Sequence, residues 1–301
     1  MRKPFLWIAG IALVAVPLGA AAADHCRYSA PRAAEIDAAG LKALTLQIGP
    51  DDLTVRGQPG LGKILVRGTA CASNPKWLDA VKMDATRQGD TASVIAHDRN
   101  HGFQITSWFG GSYAYLKLNV QVPSALAVKL LVGSGDADIG GVAALDASVG
   151  SGDLKVNGVT GQFALRLGSG DVVASQVGGL KVGSIGSGDF SIRNIGGNAA
   201  IGSIGSGDAK LTDIAGGLTL QSMGSGDVTV HDVKRDVTVG SLASGGLKLY
   251  QIGGDVHAGS IGSGDFAVDG VSGNLSVGTV GSGDVEHRNV KGKVSVPRDN
   301  D

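Results

Sequence analysis

The chain of 301 residues has only two cysteines, eight prolines and few aromatics, with six Phe, four Tyr and three Trp. Lysine plus arginine and aspartate plus glutamate nearly cancel, leaving a formal charge of −1. That balance lacks the basic patch or stripe that nucleic-acid binding requires, so nucleic acid is not an expected partner. After the first twenty residues no apolar run is long enough to cross a bilayer, so no membrane span is expected. Glycine is abundant, at 50 residues, but does not recur every third position, which rules out a collagen triple helix.

The glycines instead mark a longer period. Gly-Ser-Gly-Asp occurs eight times, with aspartates at Asp136, Asp153, Asp171, Asp189, Asp208, Asp227, Asp265 and Asp284. Their spacings are 17, 18, 18, 19, 19, 38 and 19 residues, and Ala243-Ser244-Gly245-Gly246 fills the double gap, with Gly246 in the aspartate's place. Nine repeats with a period near 19 indicate a solenoid, in which no coil can bury its apolar side alone.

Aligned on the aspartates, three columns are apolar. One residue on stand Ala137, Leu154, Val172, Phe190, Ala209, Val228, Leu247, Phe266 and Val285. Three on, the column runs from Ile139 and Val156 to Val268 and ends in His287. Six on it holds only Val or Ile, from Val142 to Val290. A second alternating pair precedes the next turn, such as Leu218 and Leu220, and then one more apolar residue, such as Ile204 or Met223. Period-two alternation in segments this short between glycines means strands. The expected fold is all-β: a parallel β-solenoid of about nine coils, each with two or three short strands, over residues 129–296. Stacked about 4.8 Å apart, nine coils make a rod on the order of 40 Å long.

Two readings of the turn stay open. In one, the glycines supply positive φ and each aspartate caps nearby backbone N–H groups. In the other, the aligned carboxylates collect calcium, a hard cation that takes several oxygen ligands. The calcium-binding nonapeptide of other β-rolls has a shorter period and a different placement of Asp. A phosphate loop is excluded because a strand follows the turn where a helix N-terminus is needed. No histidine recurs at a matching position, which argues against a Ser-His-Asp hydrolase site.

Arg2 and Lys3, the apolar run from Phe5 to Ala20, and Ala21-Ala22-Ala23 read as a signal peptide over 1–23, with the mature chain starting near Asp24. Periplasmic or secreted residence follows, and in that setting Cys26 and Cys71 are expected to form a disulfide. Residues 24–128 break the repeat and read as a β-rich entry region, with strands at Leu44 to Ile48, Leu53 to Arg56, Ile64 to Arg67, Thr91 to Ala96 and Tyr115 to Val122. In it lie His97 and His101, which flank a turn and make a poor metal pair, and an aromatic group of Trp108, Phe109, Tyr113 and Tyr115. Exposed aromatics of this kind suit stacking on sugars or anchoring a partner, whereas buried ones would be packing. Residues 297–301 form a tail in which Pro297 and charges blunt the last strand edge.

The run Leu118-Asn119-Val120-Gln121-Val122-Pro123-Ser124-Ala125-Leu126, followed by Gly133-Ser134-Gly135-Asp136 and further such coils, resembles the bacterial putative-adhesin family of exported β-solenoids. The likeness covers roughly residues 40–296. It implies a single-chain solenoid at the cell envelope with an adhesion role, and it supplies no catalytic residues. The expected function is a non-enzymatic envelope or secreted protein that binds or scaffolds cell-envelope polysaccharide or protein, with no cofactor. The alternatives are a polysaccharide-processing β-helix enzyme and a calcium-stabilised β-roll. Spreading the carboxylates over nearly every coil, with no inserted loop above them, argues against an enzyme.

Overall fold

The computed structural model describes residues 26–97 and 113–297. The signal segment 1–23, His101, Trp108, Phe109 and the tail from 298 lie outside the described residues. The described chain is a parallel β-solenoid with two strands per coil, the lower of the two counts expected. In one coil these are Ala199–Ile204 and Ala209–Ile214. Like strands stack in register, Phe190 on Ala209 and Ala209 on Val228 along one face, Ala199 on Leu218 and Leu218 on Val237 along the other. The rod is therefore two parallel sheets, face to face, with the apolar columns between them.

The inward assignment holds through all but the last coil. From Ala137 to Phe266, from Ile139 to Val268 and from Val142 to Val271 the three columns are buried. At the C-terminal end Val285 and Val290 are half-buried and His287 is exposed, because among the described residues no strand pairs with their outer side.

The step from the third to the sixth residue after the aspartate breaks the period of two, so two consecutive side chains point outward. The second of them absorbs the misfit by taking a left-handed backbone. Gly141, Gly158, Gln176, Asn194, Asp213, Asp232, Gln251, Gly270 and Asn289 form this column, with φ between 52° and 82°. This bend returns the following Val or Ile to the core.

The glycines of Gly-Ser-Gly-Asp work differently from the expectation of positive φ, since none of them is in the left-handed region. They provide clearance. A methyl group on Gly207 would collide with the carbonyl oxygen of Gly188 in the preceding coil, and one on Gly188 with that of Gly170. Real Cβ atoms do not approach backbone so closely, and the backbone of a stacked coil has nowhere to retreat.

Beneath the coils the chain builds its own base. The strands are β1 (Tyr28–Asp37), β2 (Ala43–Ile48), β3 (Asp52–Gln58), β4 (Lys63–Ala72), β5 (Lys82–Gln88), β6 (Thr91–His97), β7 (Ala114–Pro123), β8 (Ala127–Val132) and β9 (Ala137–Val142). The first Gly-Ser-Gly-Asp coil, β8 and β9, stacks in parallel on β2 and β3, and these stack on β6 and β7. Below them the direction reverses, with β4 antiparallel to β7, β1 to β4 and β5 to β6. Pro31 lies on the outer strand β1, where it has no amide to offer a further strand. The disulfide Cys26–Cys71 ties the start of the described chain to β4, with the Cα atoms 5.3 Å apart.

Clearance makes a sharp prediction. Gly207→Ala should lose about 2–4 kcal/mol of stability, since backbone must move. Gly62→Ala, where an added methyl meets nothing within 4 Å, should stay within about 0.5 kcal/mol. Equal melting curves for the two variants would overturn the clearance role.

Candidate functional site

The edge of aspartates is the largest repeated chemical feature, and its geometry is that of a capping ladder. Asp136 Oδ1 accepts the backbone N–H of Asp153 at 3.1 Å, Asp153 that of Asp171 at 3.1 Å, and Asp171 that of Asp189 at 3.1 Å. The series continues through Asp189 to Asp208 at 3.2 Å, Asp208 to Asp227 at 2.8 Å and Asp227 to Gly246 at 2.9 Å. Each carboxylate thus satisfies an amide that the turn would leave outside the strand pairing.

Gly246 has no side chain to continue the ladder. There the amide of Asp265 turns to the carbonyl of Gly245 at 3.2 Å, and the strands Gly246–Ile252 and Asp265–Val271 pair from Gly246 and Asp265 onward. The gap in the motif is closed by one more residue of strand. Asp265 and Asp284 lie in the same column, on the last two coils.

A second ladder runs along the opposite turn and was not singled out from the sequence. Asn198 Oδ1 accepts from Gly217 N at 3.0 Å, Asp236 from Asp255 at 2.8 Å, Asp255 from Asn274 at 2.7 Å and Asn274 from Lys293 at 2.9 Å. Its signal is the 19-residue column of Asn198, Gly217, Asp236, Asp255, Asn274 and Lys293, which mixes four residue types and so hides beside the recurring Gly-Ser-Gly-Asp. Asparagine serves in it as well as aspartate. The ladders therefore need an oxygen acceptor and not a charge.

Asp51 was also missed. It is fully buried, and its Oδ1 accepts the amide of Leu116 at 2.6 Å at the start of β7. It occupies the place that Gly135 takes in the next coil, so no Gly-Ser-Gly-Asp spells it out.

Of the aromatic group, Tyr113 and Tyr115 are described and half-buried, with ring centroids 5.9 Å apart. The Tyr113 hydroxyl accepts the Arg27 amide at 3.0 Å, and its backbone N–H donates to Ser73 Oγ at 3.1 Å. Tyr115 pairs with Cys71 across β7 and β4 and carries Lys117 5.8 Å from its ring centre. These two rings thus brace the seam around the disulfide. His97 meets Asp84 at 2.8 Å, and no metal-ligating group of three or more His, Cys, Asp or Glu exists among the described residues.

In two surface pairs of the base the partners perturb each other's charge. The hydrogen bond with Lys42, and then its charge, lower the Asp90 carboxyl below its ordinary range and raise the Lys42 ammonium in turn; Glu35 does the same to Lys63. None of these pairs lies on the coils.

Replacing Asp208 separates capping from metal binding. Asp208→Ala should cost about 1 kcal/mol by leaving the Asp227 amide without its acceptor, and Asp208→Asn should stay within about 0.5 kcal/mol because Oδ1 remains. Melting in calcium and in chelator should then agree within about 2 °C. An alanine-like loss in the asparagine variant, or a calcium-dependent rise of about ten degrees, would overturn the capping role.

No protein-family model and no curated protein matches the chain. Among solved structures it is similar to a "putative cell adhesion protein" from Clostridium sporogenes, at 12% identity and a TM-score of 0.31, covering 89% of this chain and 98% of that one. It is similar to a "putative lipid binding protein" from Parabacteroides distasonis, at 16% and 0.37, covering 85% and 96%. A "putative adhesin" from Parabacteroides merdae matches at 16% and 0.36, covering 86% and 95%. Identities and scores of this size assign neither ligand nor activity.

Proposed function

We propose that the chain is an exported, non-enzymatic rod that binds and scaffolds at the cell envelope, an adhesin-like role, with residues 1–23 removed near Asp24, residues 24–128 as the base and 129–296 as the repeat. The observation that carries this reading is how the edge carboxylates are used. From Asp136 to Asp227 each holds the amide of the next coil at 2.8–3.2 Å. The most repeated acidic group of the molecule is thus engaged in holding coils together. A hydrolase of the β-helix type needs the reverse, two carboxylates gathered at one locus and free to exchange protons with a substrate.

Three further features support the reading. The disulfide fits an oxidising compartment. The core is continuous from β1 to the last coils, so the rod holds its outer side chains at fixed spacings, which favours binding by pre-organised surfaces. Among the described residues no helix is long and apolar enough to cross a membrane. The partners proposed are envelope polysaccharide or protein, met by the outer faces and by the aromatic segment of Trp108, Phe109, Tyr113 and Tyr115.

Immobilised mature protein offered envelope polysaccharide, peptidoglycan and envelope proteins should retain one of these fractions without shortening it or releasing new reducing ends. Depolymerisation of a retained glycan would replace this reading with the polysaccharide-processing enzyme. Retention of none of the three would sink it.

A further inference from the structure

We infer that the outer face of the last three coils carries a binding site for a neutral pyranose residue of a glycan, built on Tyr250. This deepens the envelope-binding reading and rests on it for the source of the glycan. The site stands apart from the aspartate edge and from the aromatic segment near Tyr113.

The site follows from register. On the face formed by the strands after each aspartate, His231, Tyr250, Asp269 and Arg288 stand in one outward column, and Lys248, Ala267 and Glu286 in the column beside it. Tyr250 stacks on His231 with centroids 4.5 Å apart and planes 9° from parallel. The stack occupies one face of the tyrosine ring and fixes its orientation, so little side-chain freedom remains to be lost on binding. The other face looks along the rod toward Asp269 and Arg288.

Ala267 is the small residue in its column, between Lys248 and Glu286, and it forms a depression of about 110 Å³ walled by Tyr250, Asp269, Glu286 and Arg288. Tyr250 and Arg288 are two coils apart, about 9.6 Å at the spacing of parallel strands, with the shorter Asp269 on the coil between them.

Its polar groups choose the ligand further. The carboxylate of Asp269 is oriented by the Asn289 side-chain amide, which donates to Oδ1 at 2.7 Å, and the other oxygen is left for ligand hydroxyls. Glu286 adds acceptors and Arg288 donors, with the guanidinium 4.0 Å from the Glu286 carboxylate. Two carboxylates against one guanidinium line the depression, so a phosphate, sulfate or carboxylate would meet its own sign there. A polyhydroxyl ring satisfies donors and acceptors together and lays its C–H face on the tyrosine.

The full mature chain, tested on an array of neutral, N-acetylated, sialylated and sulfated oligosaccharides, should bind neutral or N-acetylated members, with the best of them then titrated by calorimetry. Tyr250→Ala should weaken that affinity about tenfold and Asp269→Asn comparably, while Tyr250→Phe keeps the stacking surface and stays within about threefold. Both side chains point outward, so unchanged melting temperatures confirm that the variants fold. Absence of neutral-glycan binding by the wild type, preference for the anionic glycans, or equal affinity in Tyr250→Ala would overturn the site. Any of these alongside retention of an envelope fraction would leave the binding-rod reading standing, and glycan binding without envelope retention would leave the site standing and remove that reading.

Discussion

Everything in the rod depends on how closely the backbone of one coil passes that of the next at the turn. The third residue of Gly-Ser-Gly-Asp is glycine in all nine repeats, including the aberrant one, where Gly245 survives although Ala243 and Gly246 replace the first glycine and the aspartate. In each place an added methyl would meet the carbonyl oxygen of the coil below. The carboxylate can be lost because a strand extended by one residue supplies another acceptor. The clearance cannot be lost, because no side-chain adjustment moves a carbonyl out of the way.

With the turns fixed in this way, the remaining demands fall on separate columns. The two Asx ladders satisfy turn amides, the left-handed column resets the strand parity, and the apolar columns supply the hydrophobic driving force. Outward positions between them take no part in any of these tasks. They vary freely from coil to coil, and a local group such as His231, Tyr250 and Asp269 can be assembled there without disturbing the stack.

Much of this architecture was legible in the sequence because a solenoid repeats its own constraints. The apolar columns could be read as inward from the alternation alone, and only the last coil departs, where no described strand covers His287. The role of the glycines was not legible. Gly-Ser-Gly looks like a turn that needs unusual φ, and only the stacked backbones show a need for space. The left-handed column was hidden because glutamine fills it at Gln176 and Gln251, and glutamine carries no turn signal. The Tyr250 site escaped notice because its residues are 19 apart in sequence, each a single departure from its column, and register alone brings them together.

The order of layers in the base gives the rod a direction of growth. Strands β2 and β3 appear early in the chain, yet they are sandwiched between β8 and β9 above and the later β6 and β7 below. Leu53 pairs with Leu118, 65 positions on, and with Ala137, 84 positions on, whereas every coil from Leu154 upward pairs with the coil below it some 17–19 positions away. The costly loop closures are thus gathered at the base, and each later coil is added by a short one. A chain emerging N-terminus first meets its hardest step first and then winds upward on a finished platform. Repeats can be added or removed at the C-terminal end without touching that step, so the length of the rod is free to change while the base that starts it is not.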